Sequence, residues 1–283
     1  MGWSIEFPVS GVEVNPLLPL LAAFLVSAVT TPAGVSGAFL LLPFQVSVLG
    51  FTSPAVSPTN LIFNVAATPG GIYRYARDGS IYWPLARIIV LGSLPGVFVG
   101  ALLRVTVFAD PRAFRFFVGL VLIYLGLRLL LETFGSASGS SADATGSSPL
   151  FELSGSRNYL LLLAFGVGVM GGIYSIGGGA IIAPFLVAIF RLPVRAVAGA
   201  ALVGTLVTSV AGIAFFEVLA QVGSAPDASP DWLLGLTLGL GGLLGTYAGA
   251  RLQRRLPETG IKATLGLLVL LLAASYLLAP LAG

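Results

Sequence analysis

Two glycine-rich interruptions in an apolar chain are the features best able to bind a ligand. Residues 175–179 read Ser-Ile-Gly-Gly-Gly and precede Pro184, and residues 34–37 read Gly-Val-Ser-Gly and precede Pro43. A helix that starts after such a break directs unpaired N–H groups and the positive end of its dipole at the break. Two facing breaks would bind a small anion without a buried cation. Tight helix crossing is the alternative explanation of the glycines.

Polar side chains at helical spacing offer further hydrogen-bond donors. Asn60, Asn64 and Thr68 are spaced by four and so share one helix face, and Thr205 corresponds to Asn64 in the second half of the chain. An Asn inside a membrane helix is costly unless it has a partner or faces a cavity. The Asn residues are therefore interpreted either as donors to the oxygens of an oxyanion or as interhelical hydrogen bonds. For Thr205, bonding to its own helix backbone is the favoured alternative.

Together these features predict one binding site. We expect its lining to be Ser36, Gly37, Asn60, Asn64, Gly177, Gly178, Gly179 and Thr205. Backbone N–H groups would attract an anion, and the polar side chains would orient it.

Two other patterns indicate enzymes but lack the residues that those enzymes need. Residues 166–171 fit the Gly-x-Gly-x-x-Gly dinucleotide pattern, but no acidic residue follows about 20 positions later and no βαβ unit surrounds them. Residues 34–37 resemble the nucleophile segment of intramembrane serine proteases, which need a base beside the serine. The chain has no His, and Lys262 is placed near the membrane edge.

Composition restricts the class of protein. Of 283 residues, 57% are hydrophobic and only 9% are charged, with a mean hydropathy of +1.00. A soluble domain carries about 25% charged residues, and disorder requires low hydrophobicity, so the chain is predicted to be an all-α polytopic membrane protein. Because Cys and His are absent, disulfides and thiolate or imidazole sites are excluded. We expect no metal, no cofactor, no enzymatic activity and no nucleic-acid partner.

Ten apolar segments are predicted in two groups of five. They lie near 15–33, 36–50, 54–74, 82–104 and 112–133, and near 158–174, 177–190, 194–217, 231–252 and 260–280. A Ser- and Gly-rich linker over 134–157 separates a first repeat, 15–133, from a second, 158–280. Segments 36–50 and 177–190 are too short to span a membrane and are predicted to be broken or re-entrant helices.

The two groups align with each other. A shift of 141 residues matches residues of the same type early in each half, among them Gly37 with Gly178 and Pro43 with Pro184. Further along, a shift of 149 residues matches Trp83 with Trp232, and Gly92, Gly96 and Gly100 with Gly241, Gly245 and Gly249. The glycines spaced by four are expected to let helices pack closely. Five segments per repeat is an odd number, which predicts two oppositely oriented repeats, the arrangement of secondary transporters.

Loop charges predict the orientation. Most arginines fall in one set of loops, whereas Glu217, Asp227 and Asp231 fall in the other. Positive loops stay in the cytoplasm, so both termini are predicted to lie outside. Arg104, Arg112 and Arg115 disagree with this pattern, either as an exception or because they serve the substrate. Proton coupling normally uses a carboxylate or a His inside the membrane. No such residue is evident in the sequence, and Glu217 comes nearest to that position, so proton coupling is unsupported.

The breaks, each followed by a proline and a helix of small residues, resemble those of the sulfite exporter TauE/SafE family of membrane permeases. The resemblance covers nearly the whole chain and is closest at Gly177, Gly178, Gly179, Pro184, Ala196, Gly199 and Thr205. The first half departs from it, with Ser36 and Ala38 in place of Gly177 and Gly179. The resemblance implies transport of small sulfur oxyanions or organosulfonates.

We therefore expect a secondary transporter of sulfite, thiosulfate or organosulfonate in the inner membrane, working as an exporter by alternating access. A channel-like anion pore and a non-transport membrane assembly factor are the competing interpretations.

Overall fold

The computed structural model describes residues 4–31, 36–135, 153–188, 190, 192, 194–252 and 258–278. Part of the first glycine-rich break, residues 34 and 35, and most of the predicted linker lie outside these residues. The described end of that linker is helical, because the sixth helix begins at Leu153 rather than at the predicted position 158.

The described residues form ten α-helices. Their bounds are α1 Leu17–Thr30, α2 Ala38–Ser47, α3 Val56–Arg77, α4 Trp83–Thr106, α5 Pro111–Gly135, α6 Leu153–Tyr174, α7 Gly178–Ala188, α8 Val194–Gln221, α9 Trp232–Leu252 and α10 Glu258–Leu278. A two-residue antiparallel hairpin, β1 Ile5–Glu6 with β2 Glu13–Val14, precedes α1. The ten helices match the ten predicted apolar segments.

Several of these helices can cross a membrane. Within the described residues, five stretches are long and apolar enough, namely Trp83–Thr106, Pro111–Leu131, Arg157–Tyr174, Ala196–Gln221 and Pro226–Gly249. An all-α polytopic membrane protein is therefore confirmed. By contrast, α2 has 10 residues and α7 has 11. Each is about 15–17 Å long at 1.5 Å per residue, half of the roughly 30 Å hydrocarbon core, so both are short, as predicted.

The glycines spaced by four bring pairs of helices into contact. In α4, a Cβ at Gly96 would overlap the carbonyl oxygen of Phe165 on α6, and in α9 a Cβ at Gly245 would overlap that of Phe24 on α1. The packing role of these glycines is confirmed. The contact of Gly96 with Phe165 and the contact of Gly245 with Phe24 join equivalent positions of the two halves. The alignment of the halves matches Phe24 with Phe165 and Gly96 with Gly245. This equivalence is what a duplication predicts, and the relation between the halves stays a prediction.

Several polar side chains are buried between helices α3, α4 and α8. Helix α3 packs on α8 and α9, and α8 packs on α4 and α7. The polar side chains buried among these helices include Asn60, Asn64, Ser93, Thr205, Thr208 and Ser209. Buried polar groups of this kind need partners, and their partners define the site.

Candidate functional site

The second glycine-rich break is a true interruption between α6 and α7. Helix α6 ends at Tyr174, and Ser175 and Gly177 then adopt left-handed backbone conformations, with φ of 64° and 84°. Glycine enters this region without a steric penalty, whereas a residue with a Cβ is strained there. Helix α7 starts immediately afterwards, at Gly178. The predicted broken helix is confirmed at this position.

The described end of the first break meets the same region from α2. Ser36 is half-buried, and its hydroxyl accepts a hydrogen bond from the backbone N–H of Ala38, the first residue of α2, at 3.3 Å. Gly37 is needed for close approach, since a Cβ there would lie 2.9 Å from Ser27 Oγ and 3.3 Å from the ring of Phe63. Gly37, in the described part of the first break, is therefore packed tightly against α1 and α3.

Asn60 joins the two short helices. Its side-chain amide donates to the carbonyl oxygens of Ala38, at 3.1 Å, and Ser175, at 3.0 Å. Its own oxygen accepts a bond from Gln45 Nε2 at 3.1 Å. One buried side chain on α3 thus holds the start of α2 and the break before α7.

Asn64, one turn further along α3, makes a parallel set of contacts. Its amide donates to the carbonyl oxygens of Ser175, at 3.3 Å, and Ile176, at 3.0 Å. Its oxygen lies 3.5 Å from Ser36 Oγ, within hydrogen-bonding range. The two interruptions of the chain therefore meet at Asn64.

These contacts bear on the two interpretations of the Asn residues. Both amide hydrogens of Asn60 and both of Asn64 are directed at backbone carbonyls. Interhelical hydrogen bonding, one of the two interpretations, accordingly describes this conformation. Both side chains are fully buried. They could contact a substrate only in a second conformation, in which the two breaks are separated, and that contact stays a prediction.

The glycines at the start of α7 are enclosed by α8. The N–H of Gly178 donates to Thr208 Oγ1 at 3.2 Å. A Cβ at Gly179 would overlap the carbonyl oxygen of Ala201 and lie 2.7 Å from both the backbone N and the hydroxyl of Thr205. Tight helix crossing therefore explains Gly179. Thr205 lies beside the start of α7, and its contact with a substrate stays a prediction.

A buried arginine extends this polar cluster and was not expected. Arg104 was predicted to be a loop charge, which is wrong because it lies in α4 with its side chain fully buried. Its Nε donates to Ser57 Oγ at 3.0 Å, and its two terminal nitrogens donate to the carbonyls of Ser53, at 3.2 Å, and Phe108. Its guanidinium also lies 3.7 Å from the centre of the Phe114 ring, a cation–π contact.

The sequence contained a signal for this burial. Arg104 continues the spacing of four that runs through Gly92, Gly96 and Gly100, and so shares the face of α4 that packs inward. Ser57 connects it to the site, because the Ser57 hydroxyl donates to the carbonyl of Ile173 at 3.4 Å. Arg104 is thus two hydrogen bonds away from the end of α6.

Asp231 lies in the loop before α9, as predicted, and its side chain is fully buried. Its Oδ1 accepts the N–H of Leu234 at 3.0 Å, capping α9. Its Oδ2 accepts the N–H groups of Val9, at 3.2 Å, and Ser10, at 2.9 Å, as well as the Ser10 hydroxyl, at 2.9 Å. The carboxylate therefore anchors the N-terminal hairpin to the bundle.

Comparison with known proteins identifies the family. The model of the family "Sulfite exporter TauE/SafE" matches residues 19–276. The chain is 24% identical over 240 residues to "Probable membrane transporter protein YjnA" of Bacillus subtilis (strain 168), covering 83% of this chain and 89% of the relative. A "Probable membrane transporter protein" of Xylella fastidiosa (strain 9a5c) is 24% identical over 243 residues, covering 85% and 86%.

A second Bacillus subtilis relative, "Probable membrane transporter protein YunE", is 21% identical over 227 residues, covering 77% of this chain and 79% of the relative. No solved structure matches the chain. The family match includes both breaks and nearly all of α1 and α10. The chain accordingly belongs to the sulfite exporter TauE/SafE family and is a multi-pass membrane transporter.

Proposed function

We propose that the protein is a secondary transporter of small sulfur-containing anions, namely sulfite, thiosulfate or an organosulfonate. It works as an exporter in the inner membrane, by alternating access between two inverted repeats, and both termini of the protein lie outside. It performs no catalysis.

The observation that carries this proposal is the meeting of both chain interruptions at Asn64. Ser36 belongs to the first break and Ser175 and Ile176 belong to the second, and all three contact this one side chain. Broken helices that meet inside the bundle are the usual location of the substrate in transporters built from repeats. The start of a helix at each break suits a negatively charged solute.

The contacts of the two Asn residues also suggest how access alternates. Asn60 and Asn64 belong to the first predicted repeat, and Ser175 and Ile176 belong to the second. When one repeat rocks against the other, these hydrogen bonds break and the amide N–H groups become free. An oxyanion entering between the breaks then replaces the carbonyl oxygens as their acceptor, because its oxygens accept the same donors.

Transport by purified protein in liposomes tests the proposal. Liposomes loaded with sulfite, thiosulfate or methanesulfonate are expected to release the anion in a protein-dependent and saturable manner, and to show counterflow when unlabelled anion is present on the opposite side. Flux without saturation or counterflow would favour the channel-like pore. Release no faster than from protein-free liposomes for all three anions would leave the assembly factor as the better interpretation.

The polar contacts provide a variant for the same assay. Asn64→Leu removes both amide donors and is expected to lower the transport rate and the shift in melting temperature that the anion induces. If both survive unchanged, Asn64 does not line the pathway.

A further inference from the structure

Two buried hydroxyls in the middle of the bundle have no hydrogen-bond partner among the described residues. Ser93 on α4 and Ser209 on α8 are fully buried, and the Oγ of each is unpaired. A helical serine can usually donate to the carbonyl four residues earlier, and Thr208 does so to Gly204 at 2.7 Å. Unpaired buried polar groups destabilise a fold and call for an explanation.

Both hydroxyls lie at the start of α7. Ser93 Oγ is 3.0 Å from the position that a Cβ on Gly178 would take, and Ser209 Oγ is 3.2 Å from the corresponding position on Gly177. They reach this point from different helices, α4 and α8. The 11-residue helix α7 begins at Gly178, beside both hydroxyls.

We infer that Ser93 and Ser209 donate hydrogen bonds to the transported anion at the start of α7. This inference rests on the proposed function and adds two residues to its site. Hydroxyl donors on two sides of a helix start suit a solute with several acceptor oxygens, such as a sulfur oxyanion. An oxyanion supplies the acceptor that both hydroxyls lack among the described residues.

Among the described residues, this pair of serines has no equivalent at the start of α2, so the proposed anion site is asymmetric. By the shifts that relate the halves, Ser93 corresponds to Gly242 and Ser209 to Thr68. Thr68 is already satisfied, since its hydroxyl donates to the carbonyl of Asn64 at 2.8 Å. Near the start of α2, the unpaired Oγ of Ser27 lies 2.9 Å from a Cβ position on Gly37.

Ser27 provides the matched control. Ser93→Ala, Ser209→Ala and Ser27→Ala each remove one buried, unpaired hydroxyl, and they differ only in which short helix it faces. The measurement is the dissociation constant for sulfite of the purified full-length protein, with the melting temperature of the ligand-free protein as a second readout. Without ligand, all three variants should melt no lower than the wild type, because an unpaired polar group has been removed.

Sulfite binding should weaken about tenfold in Ser93→Ala and in Ser209→Ala, the usual loss for one hydrogen bond to a charged group. In Ser27→Ala it should stay within about twofold of the wild type. If an alanine variant does not fold, Ser93→Cys and Ser209→Cys keep the size but donate weakly and should bind sulfite several-fold more weakly.

Two results would overturn the inference and can be told apart. If the wild type binds sulfite and both α7-facing variants bind it equally well, or if only Ser27→Ala is impaired, the hydroxyls do not serve the anion and the proposed function stands. If the wild type neither binds nor transports sulfite, thiosulfate or methanesulfonate, the proposed function fails and this inference fails with it.

Discussion

Replacing Asn60 by Leu tests whether this side chain holds the two chain interruptions together. The substitution removes the donors to the carbonyls of Ala38 and Ser175 and the acceptor for Gln45 Nε2. Leu has as many side-chain heavy atoms as Asn and branches at the same carbon, so no cavity is created. Its methyl groups are bulkier than the amide, so overpacking at this buried position adds to the loss of the hydrogen bonds.

The size of the effect follows from the three contacts. Interhelical hydrogen bonds inside membrane proteins contribute about 0.6 kcal/mol each on average, and about 1.7 kcal/mol at most. Three of them give an expected loss of about 2 kcal/mol, with an upper bound of about 5 kcal/mol. For a domain of this size, about 2 kcal/mol corresponds to a fall of roughly 4–8 °C in melting temperature.

The assay is thermal unfolding of the purified protein in detergent, followed by circular dichroism. Thr68→Val on the same helix is the control, because the Thr68 hydroxyl donates only to the carbonyl of Asn64 within α3. The control should melt within about 2 °C of the wild type. Equal melting temperatures for Asn60→Leu and Thr68→Val would refute the conclusion that Asn60 stabilises the junction of the two breaks.

Three further substitutions test other parts of the structure. Gly179→Ala should destabilise the protein by at least about 1–3 kcal/mol, because its Cβ overlaps a backbone carbonyl. In the control Gly166→Ala the new Cβ meets nothing within 4 Å, so this variant should melt at or above the wild-type temperature. Equal melting temperatures for the two variants would contradict the tight crossing at Gly179. Arg104→Met should lower the free energy of unfolding by about 2–5 kcal/mol, the sum of three hydrogen bonds inside a membrane protein. The control Arg87→Met, on the exposed side of α4, should leave stability unchanged. Equal melting temperatures for the two variants would argue against the buried cluster around Arg104. Asp231→Ala should speed hydrogen exchange in the N-terminal hairpin, and unchanged exchange would show that the carboxylate does not anchor it.

The helices could be predicted from the sequence because hydropathy alone separates apolar segments from their boundaries. The short helices α2 and α7 were recognisable for the same reason, since glycine and proline mark where an apolar segment cannot continue as one helix. The start of α6 at Leu153 was missed, because Ser and Gly lower helix propensity without forbidding a helix.

The partners of the polar residues could not be predicted. Asn60 and Ser175 are 115 positions apart, and no periodicity within α3 indicates which distant carbonyl its amide meets. The spacing of Arg104 from Gly100 indicates that Arg104 is buried. Its charge favours a loop, and for that reason the burial is not predicted. Ser93 and Ser209 carry no sequence signal, because a serine in a helix usually bonds to its own backbone.

The most direct test of the central claim uses single cysteines, which the chain allows because it contains none of its own. Ser36→Cys places a thiol at the first break and Ser175→Cys places one at the second. The rate of labelling by a membrane-impermeant thiol reagent is measured in liposomes against increasing methanesulfonate, because sulfite itself consumes thiol reagents. If the two breaks form one anion site, methanesulfonate should slow both reactions with the same half-maximal concentration. Protection of only one position, or of neither by any anion that the protein transports, would contradict a shared site.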